Sequence, residues 1–213
     1  MDKKYDLVCF DCDGTLTDTG ATHIRWCNDI NRQRKYGIPE IDQTNLERVR
    51  SILGTPLATI FRNYGFPEDD VGRLVDLYEK SFGTNDSYSS RPFQGIIPLL
   101  NKLSRQEIVL GLITSNILLN VKRDLGDAFF YFKKVFSKEQ MDLLKISKRE
   151  AMKLFQEHFN SKKPVYVGDT RKDMKAAKEA GFDFILVGLG WELPPQDIKS
   201  VKSVGELEEV LLL

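Results

Sequence analysis

The sequence lacks the features that are typical of disulfide-linked secreted proteins and of membrane proteins. Its 213 residues include only three cysteines, Cys9, Cys12 and Cys27. This odd number, without the spacing of a metal site, favours a reduced, cytoplasmic protein over a disulfide-linked secreted one. No apolar run approaches the roughly 20 residues that span a bilayer, and the polar start Met1–Tyr5 leads directly into the first apolar segment. We therefore expect neither a membrane anchor nor a signal peptide.

An excess of charge of one sign is also missing. Lysine and arginine together number 31, as do aspartate and glutamate. This balance argues against general binding to nucleic acid or to an acidic membrane surface. The hydrophobic content of 41% and the charged content of 29% are typical of a soluble globular protein. The length suits one domain, or one domain with a smaller insertion.

Two carboxylates follow the first apolar segment of the chain. Leu7–Phe10 is short and apolar, which predicts a buried strand, and Asp11 and Asp13 come directly after it. Two acids at the end of a buried strand repel each other and lose solvation. Ordinary turn formation explains Gly14, but it does not explain the pair of acids. The pair predicts a compensating cation if further polar groups converge on it.

The segment 19–87 carries helical patterns and no strand pattern. It contains four predicted helices, the second with Asp42 as its N-cap, and ends in a loop rich in glycine, serine and asparagine that suits a hinge. After Pro92, predicted helices and strands alternate, which is typical of a mostly parallel sheet covered by helices on both faces. The fold prediction is therefore an α/β core with a four-helix insertion after its first strand.

Polar residues also follow two later predicted strands. Thr114 and Ser115 follow the apolar run 108–113, and Asp169 follows another apolar run, with Asp173 one helical turn further on. Ligands of open parallel sheets bind beyond the carboxyl ends of the strands. If these strands are neighbours, four carboxylates converge with two hydroxyl groups. Oxygen donors at this density suit Mg²⁺.

Such a site suits the transfer of a phosphoryl group. Asp11 is placed to attack phosphorus and form an aspartyl-phosphate, and Asp13 to protonate the leaving oxygen and then activate water. A cationic side chain is needed to balance the phosphate. We assign this role to Lys145, in the loop before the capping box that begins at Ser147, with Lys148 at the first helical position as the weaker alternative. For either lysine, an ordinary solvated position is the default.

These motifs resemble those of the haloacid dehalogenase-like hydrolase superfamily, in the same order along nearly the whole chain. The matching stretches are 11–18, 112–116 and 168–173. Lys145 fits the remaining motif by its spacing to the last stretch, although Ile146 stands where the family usually has proline. Several motifs in order, each after a predicted strand, are far more specific than any one of them alone.

The resemblance implies a Rossmann-like parallel-sheet core that comprises residues 1–18 and 88–213, with a helical cap at residues 19–87. It also implies Mg²⁺ as the cofactor and a neighbouring site for a phosphoryl group. The implied metal ligands are Asp11, Asp169 and the backbone carbonyl of Asp13, with Asp173 acting through water or by orienting Lys145. The implied phosphoryl contacts are Thr114, Ser115 and Lys145.

Within the superfamily, the favoured branch resembles phosphoglycolate phosphatase: a Mg²⁺-dependent phosphatase acting on a small phosphorylated metabolite. Asp13 argues against the metal-free dehalogenases, which lack an acid at this position. Sugar phosphomutases resembling β-phosphoglucomutase are the alternative, because His23 occupies the position of their cap-hinge histidine. Many phosphatases carry it too, and a lone histidine near a helix start is more often a surface residue. The mutases also use an arginine soon after the cap-loop glycine, where this chain has Leu57, and Arg62 is too far along.

Two further expectations complete this interpretation. Thr55 flanks the cap loop and is expected to contact the distal part of the substrate. A non-catalytic phosphate-binding protein is the third alternative. That function would be favoured by the loss of an essential acid, and the chain retains Asp11, Asp13 and Asp169.

Overall fold

One parallel sheet organises the computed structural model, which describes residues 3–53, 57–82, 86–190 and 200–213. Within these residues the sheet has six strands in the order β3-β2-β1-β4-β5-β6, and every neighbouring pair is parallel. β1 is central, and the strand order reverses beside it. The strands are β1 (Leu7–Phe10), β2 (Val109–Ile113), β3 (Lys134–Phe136), β4 (Pro164–Gly168), β5 (Asp183–Val187) and β6 (Ser200–Val201).

Helices connect the strands, and four of them lie in sequence between β1 and the helix that precedes β2. These four are α1 (Thr19–Arg34), α2 (Leu46–Arg50), α3 (Leu57–Tyr64) and α4 (Glu68–Phe82). The later helices are α5 (Ile96–Arg105), α6 (Leu118–Leu125), α7 (Lys138–Leu144), α8 (Lys148–Phe159), α9 (Arg171–Ala180) and α10 (Val204–Leu212), with 3₁₀ turns at Asp86–Tyr88 and Gly126–Tyr131. The predicted α/β fold is confirmed. Among the described helices, none has both the length and the apolar character needed to cross a membrane.

The sheet is covered on both faces, which explains why β1 is apolar throughout. All four residues of β1 are fully buried, and successive side chains of a strand point to opposite faces. Val8 and Phe10 join the core cluster that includes the apolar sides of α5 and α10. Leu7 and Cys9 join the opposite cluster, beneath α8 and α9. A strand buried on both faces has no polar alternation, as expected for a parallel sheet.

The helices α1 to α4 enclose a separate apolar cluster that is rich in aromatic rings. Trp26 stacks on Phe61 with ring centroids 5.1 Å apart, and Tyr64 stacks on Phe66 at 4.7 Å. These residues are buried together with apolar side chains of the same helices. The helical insertion therefore has a core of its own. The domain boundaries at residues 18 and 88 stay a prediction, and residues 83–85 of the predicted hinge lie outside the described residues.

Two local predictions differ from the structure. Asn45, and not Asp42, caps α2, because its side chain accepts a hydrogen bond from the amide of Arg48. Asp42 instead accepts from the amide of Thr44 at 2.8 Å in the preceding turn, a local role that short acidic side chains fill equally well. The sequence interpretation also missed α7, although Ser137 and Gln140 form its capping box.

Candidate active site

The strands whose ends carry acids and hydroxyl groups are neighbours. β2, β1 and β4 lie side by side at the centre of the sheet, so their carboxyl ends share one edge. Asp11 directly follows β1, and its amide continues the ladder by donating to the carbonyl of Val167 at 2.9 Å. Thr114 follows β2, and Asp169 follows β4. All three of these side chains are buried at this edge of the sheet.

Three carboxylates meet beside the end of β1. Asp11, Asp169 and Asp173 are all buried, and each offers a carboxylate oxygen within 4.8 Å of the other two. The close approach of Asp173 depends on Gly168, because a Cβ atom at that position would lie 2.8 Å from Cβ of Asp173. Thr170 caps α9 and donates a hydrogen bond of 2.6 Å to the Asp173 carboxylate. The start of α9 is therefore held against the end of β4.

Lys148 is the cation at this cluster. Its Nζ atom lies 3.1 Å from Asp11 Oδ1 and 2.8 Å from Asp173 Oδ1. Lys148 is the first residue of α8, which packs against β1, β2 and α9, so its side chain starts close to the edge of the sheet. The sequence interpretation expected Asp173 to orient Lys145. In the structure Asp173 contacts Lys148.

The structure favours Lys148 over Lys145, which the sequence interpretation preferred. Lys145 is exposed and ends α7 in the left-handed conformation, with a φ of 54°. The chain then turns before α8 begins at Lys148. A cation does lie near the acids, and it is the residue that the spacing between motifs ranked second.

Burial makes the ionised state of these acids costly. Burial raises the pKa of Asp11 to about 7; Lys148 opposes this shift, whereas Asp173 and Asp13 add to it. Burial likewise raises the pKa of Asp13 to about 6, against a hydrogen bond from Asn116 that lowers it. Although burial acts in the other direction, Asp11 and Asp173 hold the pKa of Lys148 above its usual value. Lys148 therefore offsets only part of the cost of ionising Asp11.

The donor set fits Mg²⁺. The three acids of the cluster offer carboxylate oxygens, and Mg²⁺ prefers a few carboxylates with the remaining positions taken by water or substrate. Asp11 Oδ1 is buried, and within the described residues no donor meets it with hydrogen-bond geometry, even though Lys148 lies within ion-pair distance. A buried anionic oxygen in this state is a favourable ligand for a cation.

Asp13 faces a different neighbour from Asp11. Both of its carboxylate oxygens lie 3.1 Å from Nδ2 of Asn116. Thr15 donates to Asp169 Oδ1 at 3.3 Å. Both Thr15 and Asn116 lie within the matched motifs, but the sequence interpretation assigned neither a role. The position of these polar side chains shortly after a strand end was the sequence signal that could have identified them as site residues. Ser115, in contrast, is exposed.

The predicted cap residues have varied surroundings. His23 lies on α1, and its Nδ1 atom hydrogen-bonds to the hydroxyl of Tyr78, whose ring stacks on it at a centroid distance of 5.5 Å. Burial lowers the pKa of His23 to about 4, so the imidazole is neutral near pH 7. Arg62 forms an exposed ion pair with Glu68 at 2.6 Å. Thr55 lies outside the described residues.

Comparison with known proteins identifies the family. The model of the haloacid dehalogenase-like hydrolase family matches residues 8–187. The chain is 29% identical over 196 residues to a 5'-nucleotidase from Pseudomonas aeruginosa, covering 88% of this chain and 85% of that protein. It is 27% identical over 186 residues to a phosphoglycolate phosphatase from Synechococcus elongatus, covering 86% and 83%.

A solved structure supports the same fold. A crystal structure from Clostridium difficile superposes with a TM-score of 0.77 at 22% identity, covering 99% of this chain and 100% of that chain. The family match begins in β1 and ends with β5, so it contains the whole acid cluster and Lys148. The resemblance seen in the sequence is confirmed, and the chain belongs to the haloacid dehalogenase-like hydrolase family.

Proposed function

We propose that this hydrolase is a Mg²⁺-dependent phosphatase that cleaves a small phosphomonoester through an aspartyl-phosphate. The observation that carries the proposal is the position of Asp11 at the end of the central strand, 3.1 Å from Lys148 and grouped with Asp169 and Asp173. A nucleophilic carboxylate, a cation and further oxygen ligands are what phosphoryl transfer requires. The names of the curated relatives, 5'-nucleotidase and phosphoglycolate phosphatase, support the same chemistry.

In the first step, a carboxylate oxygen of Asp11 attacks phosphorus, and the bond from phosphorus to the ester oxygen breaks. Lys148 and the hydroxyl of Thr114 stabilise the negative charge of the transferring group. Mg²⁺, held by Asp11, Asp169 and the backbone carbonyl of Asp13, would supply additional charge neutralisation. Because Asp173 holds Lys148 at 2.8 Å, its contribution is to keep this ammonium group beside Asp11.

Asp13 carries the proton through both steps. It gives a proton to the leaving oxygen as the ester bond breaks, so that the alcohol departs neutral. It then takes a proton from water, and the resulting oxygen attacks phosphorus and releases phosphate from Asp11. The raised pKa of Asp13, about 6, suits a group that must exist in both protonation states near neutral pH.

The substrate class is a small phosphorylated metabolite. The relatives are named for nucleotides, phosphoglycolate and, in Pseudomonas putida, N-acetylmuramic acid 6-phosphate, which share a phosphomonoester. A sugar phosphomutase is less well supported, because Arg62 is engaged by Glu68. We propose a cytoplasmic location and no nucleic-acid or membrane partner. The three cysteines support a reducing compartment, since all are free and buried.

The test is phosphate release from 4-nitrophenyl phosphate with and without MgCl₂. We expect metal-dependent release by the natural protein and roughly a 10³-fold or greater loss in Asp11→Asn, the order expected when a nucleophile is removed. Asp142→Asn is the matched control, because Asp142 is exposed on α7. Metal-independent release, or full activity of Asp11→Asn, would contradict the proposal. Dependence on a sugar bisphosphate with little phosphate release would identify a mutase instead.

A further inference from the structure

We propose that Asn116 is a positioning residue that holds the carboxylate of Asp13 for proton transfer, and that Asn120 holds Asn116. The inference rests on the proposed function of Asp13. It starts from one contact: Nδ2 of Asn116 lies 3.1 Å from both carboxylate oxygens of Asp13. The two residues come from different strand ends, since Asp13 follows β1 and Asn116 follows β2. Their contact therefore links two halves of the site.

Contacts on its other atoms determine which end of the Asn116 amide faces Asp13. Its Oδ1 atom accepts hydrogen bonds from the amide of Ile117 at 2.8 Å and from Nδ2 of Asn120 at 3.1 Å. Both of these groups are donors, so they require the oxygen, and the NH₂ group must point to Asp13. The backbone amide of Asn116 also donates to Thr114 Oγ1 at 3.0 Å, which anchors this residue to the proposed phosphoryl contact.

Asn120 lies behind Asn116 in the first turn of α6 and is buried. Its carbonyl oxygen, Oδ1, is buried and has no hydrogen-bond partner within the described residues. A buried acceptor without a partner destabilises a fold and calls for an explanation. The orientation of the Asn120 amide explains it. Its Nδ2 atom donates to Asn116, which in turn donates to Asp13, and this orientation leaves Oδ1 of Asn120 without a donor.

A fixed carboxylate matters because proton transfer requires hydrogen-bond distance to the leaving oxygen. Aspartate has two rotatable side-chain bonds, and the nearby acids Asp11 and Asp124 repel Asp13 when it is ionised. The Nδ2 atom of Asn116 is shared between both oxygens of Asp13, which keeps this carboxylate facing the end of β2. The bonds also leave the outer lone pairs of both oxygens available for a proton. Without Asn116, the carboxylate loses this contact and is less well oriented toward the ester.

The experiment compares two aryl phosphates of similar shape, 4-nitrophenyl phosphate and phenyl phosphate, at saturating MgCl₂. The first has a good leaving group and depends less on protonation. We expect Asn116→Ala to lower kcat/KM by roughly tenfold on 4-nitrophenyl phosphate and roughly 100-fold on phenyl phosphate. Asn120→Ala should act in the same direction with a smaller loss. Asn101→Ala is the control, because Asn101 lies on α5 and donates to the hydroxyl of Tyr131, outside the site.

A double-mutant cycle separates positioning from general damage. In the Asp13→Asn background, Asn116→Ala should cause no additional loss, and the MgCl₂ concentration for half-maximal activity should stay unchanged in Asn116→Ala. Equal losses on both esters, or a full additional loss in the Asp13→Asn background, would overturn the inference. If Asn116→Ala does not fold, Asn116→Ser keeps one donor and should show an intermediate difference between the two esters. Equal losses on both esters in Asn116→Ser would also overturn the inference. High activity of Asp13→Asn itself would instead contradict the proposed function.

Discussion

The edge of the sheet and the core of the helical insertion are stabilised in opposite ways. At the edge, Asp11, Asp169 and Asp173 are buried together, and Lys148 pairs with two of them, Asp11 and Asp173. In the insertion, buried aromatic rings such as Trp26 pack on one another. Burial of apolar rings stabilises a fold, whereas burial of like charges destabilises it. The difference indicates that the edge is built for chemistry and the insertion core for stability.

Asp11→Asn should show the largest difference between the effect of a substitution on activity and its effect on stability. Activity should fall by roughly 10³-fold or more, since the nucleophile is lost. Stability without Mg²⁺ should stay the same or increase, because the change removes a buried charge among like charges. Phosphate release and thermal unfolding in a chelator measure the two effects. A large loss of stability would show that the acids contribute to the fold, against the comparison.

Phe61→Ala should instead lower the free energy of unfolding. Phe61 is fully buried between rings of the insertion, and its truncation should cost about 3–5 kcal/mol of unfolding free energy. Phe130→Ala is the matched control, because Phe130 is 81% exposed, and its cost should stay below about 0.5 kcal/mol. Urea unfolding monitored by circular dichroism gives both values. Similar costs for the two variants would argue against a separate apolar core.

Lys148→Ala tests the corrected assignment directly against Lys145→Ala. Loss of the cation that faces Asp11 should lower kcat/KM by about 10²-fold, the usual order for one stabilising group in a polar site. Lys145→Ala should leave kcat/KM within about twofold, because its side chain is exposed. Steady-state kinetics with 4-nitrophenyl phosphate decides between them. The opposite ranking would restore the assignment made from motif spacing.

His23 predicts a modest pH dependence of stability. Its pKa of about 4 in the folded protein lies below the ordinary value of 6.5. Between these values the unfolded chain binds a proton that the folded chain does not, so stability falls as the pH drops from 7 to 5. We expect this histidine to account for roughly 1–2 kcal/mol of that fall.

The corresponding experiment measures unfolding of His23→Gln at pH 7 and pH 5. The fall in stability between the two pH values should be smaller in this variant than in the natural protein. His158→Gln is the matched control, because His158 is the other histidine and is exposed on α8. An unchanged fall in His23→Gln would show that other groups cause the acid sensitivity.

Much of the fold could be predicted because its signals are local. Apolar runs such as Leu7–Phe10 and capping boxes such as the one at Ser147 depend on neighbouring residues, and the structure has strands and helices where they predict them. The missed α7 also carried such a signal. Asp42 and Asn45 show the limit of this reasoning. Either residue is able to cap a helix, and the path of the chain before α2 decides between them.

The sequence by itself determined which strands carry the acids of the site, because Asp11 and Asp169 each follow a short apolar run. That these strands are neighbours is seen only in the folded sheet. Only the tertiary structure decided which lysine joins them. Lys145 follows α7 and is exposed, whereas Lys148 begins α8, and the packing of α8 against the sheet brings its side chain to Asp11 and Asp173. The contact of Asn116 with Asp13 is likewise tertiary, since it joins residues that are 103 positions apart in sequence.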